Sequence, residues 1–372
     1  MERRDRLRAL RPAMVWAVYV VASVWIFGQW LGLDARMRAP RPAMAIGGTT
    51  VPDMIHGTAT KPFVLRTLVP STVRVLREAI PDATARRLWL KVLRRCPRLA
   101  RALPALEWEE QFLLEYLIAA VVMYGCLLGF VWALRALYRE LHPESAWRRD
   151  LFPLAVLLGL PFFFDVGSHF LYDFATLLFS AWCLLPLERR RWPVFYAVFA
   201  LSLFNKETAA LVSIVFALRF FREMPRREWL AHLAAQVTLA AAVRAFLLHA
   251  YQANAGPGMQ WNLRKNLILA GERGIDVPTA VLFGVLLVAA VVGWRAEPRL
   301  ARAALATAPP LTLAYFLVGI YGEIRIFYEL VPAAAVWVFG AVLGPRAPRD
   351  RVTAPSGVAT AGWRACTPTA PR

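Results

Sequence analysis

Long apolar runs separated by short polar segments dominate the chain. The first run, residues 14–33, follows the basic leader MERRDRLRALR, and no small-residue cleavage site stands out after it. This order predicts a retained signal anchor with a cytoplasmic N-terminus. Nine further apolar runs lie near residues 111–134, 151–164, 169–187, 192–204, 207–220, 229–250, 279–294, 303–321 and 326–344. Together with the first run they predict about ten membrane crossings, several of them short.

The polar loops between these runs fall into two sets. Arginine-rich loops at 134–150, 188–192, 219–228, 295–302 and 345–351 share one side only if the apolar stretch 192–220 breaks at the sequence NKET, residues 205–208. Because short basic loops stay in the cytoplasm, this break is the preferred interpretation. It places 164–169, 205–208, 251–278 and 321–325 on the outer side, and both termini in the cytoplasm.

A long loop, residues 34–110, follows the first span and is predicted to be outside. Apolar residues recur at Leu68, Val73, Leu76 and Ile80, which predicts an amphipathic helix, and a second helix is predicted around 83–95. Such helices lie at the membrane interface, where their arginines can meet lipid headgroups. Loops of this length are outside the domain of the positive-inside rule.

Composition agrees with this layout. The chain is 58% hydrophobic and carries a formal net charge of +19, with a mean hydropathy of +0.46. We therefore predict an all-α, polytopic helix bundle in a bacterial cytoplasmic membrane, in contact with membrane lipid. Its parts are a basic N-terminus (1–13), the first span (14–33), the outer loop (34–110), the multi-span bundle (111–344) and a disordered cytoplasmic tail (345–372).

Several other classes are not indicated. The basic residues are dispersed among apolar spans without a phosphate loop or nucleic-acid motif, so nucleic acid is not a predicted partner. The four cysteines show neither CxxC nor Cys/His ligand spacing, so no disulfide framework or zinc site is predicted. The sequence indicates no metal ligands, although it leaves open a divalent metal, the cofactor and the oligomeric state.

The predicted layout resembles one known family. It has a first span, a long outer loop with interfacial helices, and short spans with acids and bases on the outer face. The layout is similar to the GT-C superfamily of polyprenyl-phosphate-sugar-dependent glycosyltransferases. LFNKETAALV (203–212) resembles the Lys-Gly or Lys-Glu segment of bacterial lipid-dependent sugar transferases. DMIHGTATKPFVLRTLVP (53–70) resembles the first-loop R-x-L-x-P stretch of uncharacterised bacterial membrane proteins with a similar layout. The paired Asp-x-Asp or Glu-x-Asp of many members is absent.

The resemblance implies sugar transfer from a polyprenyl-phosphate donor at the outer face of the membrane. Such chemistry needs a carboxylate to take the acceptor proton and fixed cations to stabilise the departing phosphate. Asp53, in the first outer loop, is the first choice of base, with Asp165 and Asp173 as reserves. The alternative for Asp53 is an ordinary solvated loop acid, and for Asp165 a helix cap.

The remaining site residues follow from the same outer loops. Donor and phosphate contacts are predicted for Arg66, Lys206, Glu207, Arg264 and Arg325, because arginine in particular presents a planar fork to phosphate oxygens. Sugar or acceptor contacts are predicted for His169, Tyr172, Asn205, Trp261 and Glu323, with GPGMQWNLRKN (256–266) as a lid. The alternatives are a structural ion pair for Lys206 and interfacial anchoring for Trp261.

Two other function classes stay open. A transporter or lipid flippase would use the same charges to line a path, and it predicts polar residues through the depth of the bundle. Arg244 is the clearest deeper polar residue. A non-catalytic assembly protein would make the outer charges structural and would tolerate conservative swaps such as Lys206→Arg.

Overall fold

The structure, a computed structural model, describes residues 2–37, 50–95, 97, 108–143, 146–164, 170–274, 280–281, 284, 287–288, 298–321 and 323–343. Every regular element in these ranges is helical. The principal α-helices are α1 (Glu2–Met37), α2 (Val51–His56), α3 (Leu68–Glu78), α4 (Asp82–Arg95), α5 (Leu113–Leu141), α6 (Ala146–Gly159), α7 (Asp173–Glu188), α8 (Trp192–Asn205), α9 (Val212–Phe220), α10 (Arg226–Ala250), α11 (Leu263–Arg273), α12 (Arg299–Leu305), α13 (Ala308–Val318) and α14 (Val331–Leu343). Short 3-10 helices cover Phe63–Leu65, Glu110–Phe112, Leu160–Phe163, Glu207–Leu211 and Ile324–Leu330.

Four stretches are long and apolar enough to cross a membrane: Arg11–Leu31, Glu110–Leu141, Arg226–Ala250 and Arg299–Val318. The described part of the chain is thus all-helical, with four helices suited to a membrane, as the sequence predicts for the class of protein. The count of ten crossings stays a prediction. α8 is apolar but has 14 residues, which span about 21 Å against a hydrocarbon thickness of about 30 Å. The predicted span 279–294 lies largely outside the described residues, and the predicted tail (345–372) lies wholly outside them.

The predicted break within NKET is present. α8 ends at Asn205, Lys206 is extended with φ −160° and ψ 138°, and the 3-10 helix Glu207–Leu211 precedes α9. The two amphipathic helices predicted in the first loop are also present, as α3 and α4. α3 buries Val69, Pro70 and Val73 and leaves Val75 and Leu76 exposed.

The core forms where α5 packs along α7, with α1, α3 and α6 on the other sides of α5. Leu127, Phe130 and Leu134 of α5 are fully buried. Gly129 allows close approach, since a Cβ built there would lie 3.1 Å from Leu178 Cδ1 of α7. In a bilayer, helix association depends on such van der Waals contact and on polar bonds, because lipid is as apolar as the helices.

Ion pairs join the arginine-rich loops to one another at one end of the bundle. Arg189 pairs with Glu140 at 2.7 Å, and Glu223 accepts from both Arg190 at 2.8 Å and Arg299 at 2.7 Å. The structure therefore brings together four of the loops that the sequence predicts on one side, those at 134–150, 188–192, 219–228 and 295–302. Their assignment to the cytoplasm stays a prediction.

Candidate functional site

A charged cluster lies at the opposite end of the bundle. Two of its segments meet there because α7 and α8 are antiparallel and joined by a short turn. The start of α7 therefore meets the end of α8, and Asn205 Nδ2 bonds the Tyr172 carbonyl oxygen at 3.3 Å and Thr176 Oγ1 at 3.0 Å. The first loop and the segment before α14 complete the group. We call it the charged cluster; its members are Arg66, Tyr172, Asp173, Lys206, Glu207, Glu323, Arg325 and Glu329.

Arg66 follows the 3-10 helix Phe63–Leu65 of the first loop and forms a two-pronged pair with Glu207. Its Nε lies 3.3 Å from Glu207 Oε2 and its Nη2 lies 2.8 Å from Oε1. Its Nη1 donates to the Tyr172 hydroxyl, and the guanidinium carbon lies 4.4 Å from the centre of the Tyr172 ring. Burial by itself lowers the pKa of Arg66, but the charge and hydrogen bonds of Glu207 together with the effect of Tyr172 outweigh burial, so the pKa is raised. Arg66 is a fixed cation.

Arg325 is the second arginine of the cluster and is almost fully buried. Its Nη1 lies 3.6 Å from Asp173 Oδ1 and 3.5 Å from the Tyr172 hydroxyl, while Nη2 donates to Glu323 Oε1 at 3.2 Å. Its guanidinium carbon stands 4.1 Å from the centre of the Phe170 ring. The Tyr172 hydroxyl thus links the two arginines.

Lys206 and Glu329 form a second enclosed ion pair of the cluster. The Lys206 ammonium lies 2.8 Å from Glu329 Oε1, and both side chains are about nine-tenths buried. Thr208 donates its hydroxyl to the same oxygen. Within the described residues, Glu329 Oε2 and Asn205 Oδ1 have no hydrogen-bond partner.

A small cavity of about 40 Å³ lies beside this pair, between α7, α8, α9 and α12. Its lining includes Asn205, Lys206 and Glu329 together with hydroxyl side chains such as Ser180 and Thr307. A volume of this size accommodates about two or three water-sized molecules. The two unpartnered oxygens therefore belong to residues that line this cavity inside the bundle.

A larger apolar groove, about 570 Å³, begins beside the cluster. It runs between α3 and the end of α10 and is lined chiefly by Leu68, Val75, Leu76, Phe246 and Leu247. At the cluster end the amide of Thr67 donates to the Phe204 carbonyl oxygen at 2.9 Å, and both residues line the groove. The groove thus starts one residue from Arg66 and two from Lys206.

The structure gathers most of the predicted site residues. Asp53 does not bond the cluster in the contacts observed: it forms a capping box with Thr50 at the start of α2 and accepts from Thr58 at 3.2 Å. Its role as base stays a prediction, but its carboxylate has a local structural task. Trp261 and Arg264 are exposed, on the loop before α11 and on its first turn. Asp165 and His169 lie outside the described residues.

The Asp173 carboxylate makes two contacts, one with the backbone and one with Arg325. Its Oδ2 accepts the amide proton of Phe170 at 3.1 Å, so the carboxylate holds the turn that precedes α7 while its other oxygen faces Arg325. In the described part of the chain, no group of three or more His, Cys, Asp or Glu side chains is placed to hold a metal ion.

The sequence places Glu329 inside the last apolar stretch, but the predicted site did not include it. An acid inside an apolar stretch is costly in lipid and is a signal of function or of a buried partner. That signal was present in FYELVPAAAV, residues 327–336. Its partners Lys206 and Thr208 lie more than a hundred residues earlier, so the pairing itself needed the fold.

Comparison with protein-family models, with curated proteins and with solved structures finds no match to this chain. The fold and the site define a helical membrane protein with a buried charged cluster at one end of the bundle, next to an apolar groove.

Proposed function

We propose that the protein is a membrane glycosyltransferase that moves a sugar from a polyprenyl-phosphate donor to an acceptor at the outer face of the cytoplasmic membrane. The observation that carries this proposal is the placement of Arg66, Lys206 and Arg325 together beside the apolar groove. A lipid-linked donor has the same two parts, an anionic phosphate and a long apolar chain.

The cluster supports phosphate binding through its two arginines. Arg66 and Arg325 share the Tyr172 hydroxyl, so their guanidinium groups are held close together. Paired guanidinium forks match phosphate oxygens in geometry and charge. Fixed cations at the site where charge develops on a leaving group lower the barrier to its departure.

The groove supports a lipid substrate. Its α3 wall belongs to an amphipathic helix whose Val75 and Leu76 are exposed, and its α10 wall includes the exposed Phe246. Apolar side chains exposed on an amphipathic helix are typical of segments that lie at the membrane interface. A polyprenyl chain lying there would place its phosphate near Thr67 and hence near Arg66.

The alternative function is a transporter or lipid flippase, which needs polar groups through the depth of the bundle. The buried charged residues of the described chain lie at or near helix ends, and Arg244 donates to the Gly258 carbonyl in the loop after α10. Buried charges at helix ends, rather than through the depth of the bundle, favour a site at an end of the bundle over a path. The residues that occupy these ends are Glu115, Asp150, Asp173, Lys206 and Arg325.

The test is transfer by the purified full chain in lipid vesicles with radiolabelled polyprenyl-phosphate sugars, scoring both transfer and donor hydrolysis. We expect Arg66→Gln to lose roughly 10²–10³-fold in rate, as for removal of one group that stabilises transition-state charge. Arg86→Gln is the matched control, because Arg86 is an exposed arginine of the same loop.

The outcomes separate the function classes. Transfer by the parent and by Arg86→Gln, but not by Arg66→Gln, supports the transferase. Labelled lipid that crosses the bilayer without transfer from any donor supports the transporter. If the parent shows neither transfer nor lipid movement, the assembly protein is the remaining class.

A further inference from the structure

Glu207 differs from the other acids of the charged cluster in its exposure. Its side chain is 36% exposed, whereas those of Asp173, Glu323 and Glu329 are 6%, 16% and 10% exposed. Both Glu207 oxygens face the fork of Arg66, whose own side chain is only 12% exposed. An anion that approaches Arg66 from the surface therefore meets the Glu207 carboxylate first.

A carboxylate and a phosphate place two oxygens on an arginine fork in the same way. From this geometry we propose that Glu207 occupies the position on Arg66 that the donor phosphate takes, and that the displaced Glu207 is the base that deprotonates the acceptor hydroxyl. This inference rests on the proposed function and assigns a catalytic residue to it.

The backbone around Glu207 supports displacement of the side chain alone. Lys206 and Thr208, the residues on either side, are both held by Glu329 Oε1. The Glu207 carboxylate can therefore rotate away from Arg66 while the chain on both sides of it stays in place. Glu329 thus has a positioning role for Glu207.

The other acids are less suited to take a proton from an acceptor. Asp173 accepts from the Phe170 amide and faces Arg325, and Asp53 belongs to the capping box of α2. Glu329 is paired with Lys206 in the interior. Glu207 is the acid of the cluster that combines access from the surface with a position next to the phosphate-binding arginine.

The transfer step balances as follows. The acceptor O–H bond breaks, its proton goes to a Glu207 carboxylate oxygen, and the acceptor oxygen forms a bond to C1 of the sugar. The bond between C1 and the phosphate oxygen breaks, and its electron pair stays on the phosphate, whose charge Arg66 stabilises. The products are the glycosylated acceptor, the polyprenyl phosphate and a protonated Glu207, which releases its proton to water.

The test compares Glu207→Gln with the parent in two measurements on the full chain in lipid nanodiscs. The first is the Kd for farnesyl phosphate, a sugar-free phosphate lipid. The second is the transfer rate at saturating donor. We expect Glu207→Gln to bind farnesyl phosphate roughly 10-fold more tightly, because the competing carboxylate is gone, and to transfer at least about 10²-fold more slowly, because the base is gone.

Glu140→Gln is the matched control. Glu140 pairs with Arg189 at 2.7 Å and is 33% exposed, so it resembles Glu207 in pairing and access. Glu140 belongs to α5, and its partner Arg189 follows the last residue of the 16-residue helix α7, whose axis is about 24 Å long and begins at the charged cluster. We expect both measurements on Glu140→Gln to match the parent; an equal gain in affinity there would mean that net charge is the cause and would overturn the proposal.

Glu207→Asp keeps the charge but shortens the reach to Arg66, so its affinity should lie between those of the parent and Glu207→Gln. Unchanged affinity in Glu207→Gln, with binding lost in Arg66→Gln, would overturn the displacement. Tighter binding with undiminished transfer would overturn the role as base. If the parent binds farnesyl phosphate but transfers from no donor, the proposed function fails, while the affinity comparison still decides the displacement. Failure of every variant and the parent to bind would overturn both.

Discussion

Glu329 Oε1 accepts from two residues at once, the Lys206 ammonium at 2.8 Å and the Thr208 hydroxyl. These donors flank Glu207, and they lie where α8 has ended and α9 has not begun. An isolated lysine among apolar helices would be costly, since burial of an unpaired charge is opposed by several kcal/mol. The pair therefore makes the break in the apolar stretch 192–220 possible.

Loss of one partner of this pair should destabilise the protein strongly. Lys206→Met leaves Glu329 buried without its cation, and we expect a loss of about 3–5 kcal/mol in the free energy of unfolding. The double variant Lys206→Met, Glu329→Leu should recover most of this loss, because it removes both charges. Unfolding in detergent, followed by tryptophan fluorescence, measures both.

The control is Arg190→Met. Arg190 pairs with Glu223 at 2.8 Å but is half-exposed, and solvent-exposed pairs contribute about 0–1 kcal/mol. A double variant as unstable as Lys206→Met alone would show that the pair is not what stabilises this region.

Gly256 should be intolerant of alanine because the first loop meets the loop after α10 there. Its φ is +90°, and an added Cβ would lie 2.8 Å from the Lys61 carbonyl oxygen. The Lys61 amide donates to the Ala255 carbonyl oxygen at 2.8 Å, and Asn254 donates to Gly57 and Ala59. Gly256→Ala should therefore separate the two loops.

Gly274→Ala is the matched control, because Gly274 also has a positive φ, +65°, but an added Cβ there meets nothing within 4 Å. Both variants carry a backbone strain of about 1–3 kcal/mol, because an alanine rarely adopts these positive φ values. We expect Gly256→Ala to lose about 1–3 kcal/mol more, with faster hydrogen exchange at the Lys61 amide. Equal losses in the two variants would show that the loops are not held together at this point.

The sequence was most informative where charge interrupts an apolar run. Arginine, lysine and acid residues in such runs are costly, so their positions predicted the break at Lys206 and the grouping of Tyr172, Asn205 and Arg325. Hydropathy cannot show which acid faces which base, and the partners Arg66 and Glu207 are far apart in the sequence.

Asp53 shows a second limit of predicting a residue's role from the sequence. A loop acid in the first outer loop fitted the expected chemistry, but Thr50-Val51-Pro52-Asp53 also fits the capping-box pattern, in which a threonine precedes an acid by three residues. The structure forms that box. The number of spans was likewise hard to obtain, because short apolar runs such as residues 151–164 divide into an α-helix and a 3-10 helix.

Because of Asp150, the free energy of unfolding should decrease at acidic pH. Its carboxylate accepts from Arg11 at 2.8 Å and from Arg135 Nη2 at 2.8 Å, and it lies 3.5 Å from Arg149. Burial by itself raises the pKa of Asp150, but the hydrogen bonds and charges of the three arginines outweigh burial, so the pKa lies below its ordinary value.

A carboxyl group with a lowered folded-state pKa contributes stability above its unfolded-state pKa, and the contribution is lost as the pH falls through the folded-state pKa. We expect the parent to keep this contribution at pH 7 and to lose it progressively below about pH 4. Asp150→Asn should have a lower free energy of unfolding than the parent at neutral pH, and that free energy should change less as the pH falls. Asp82→Asn, at a carboxylate that is almost fully exposed, is the control; equal acid sensitivity in the parent and Asp150→Asn would contradict the prediction.

Tyr172→Phe tests the link between the two arginines. The change keeps the ring, which stacks on Phe170 with centroids 5.3 Å apart, but removes the hydroxyl oxygen that accepts from Arg66 and Arg325. Buried guanidinium donors are then left without an acceptor, which costs about 1–3 kcal/mol or more for charged groups. Tyr196→Phe is the control, because the Tyr196 hydroxyl contacts His232 rather than a guanidinium, and we expect a smaller loss there. A double-mutant cycle of Tyr172→Phe with Arg325→Gln measures the link directly. A coupling energy near zero would show that the hydroxyl does not hold Arg325. A clear coupling energy would mean that the position of each arginine depends on the other through this one oxygen.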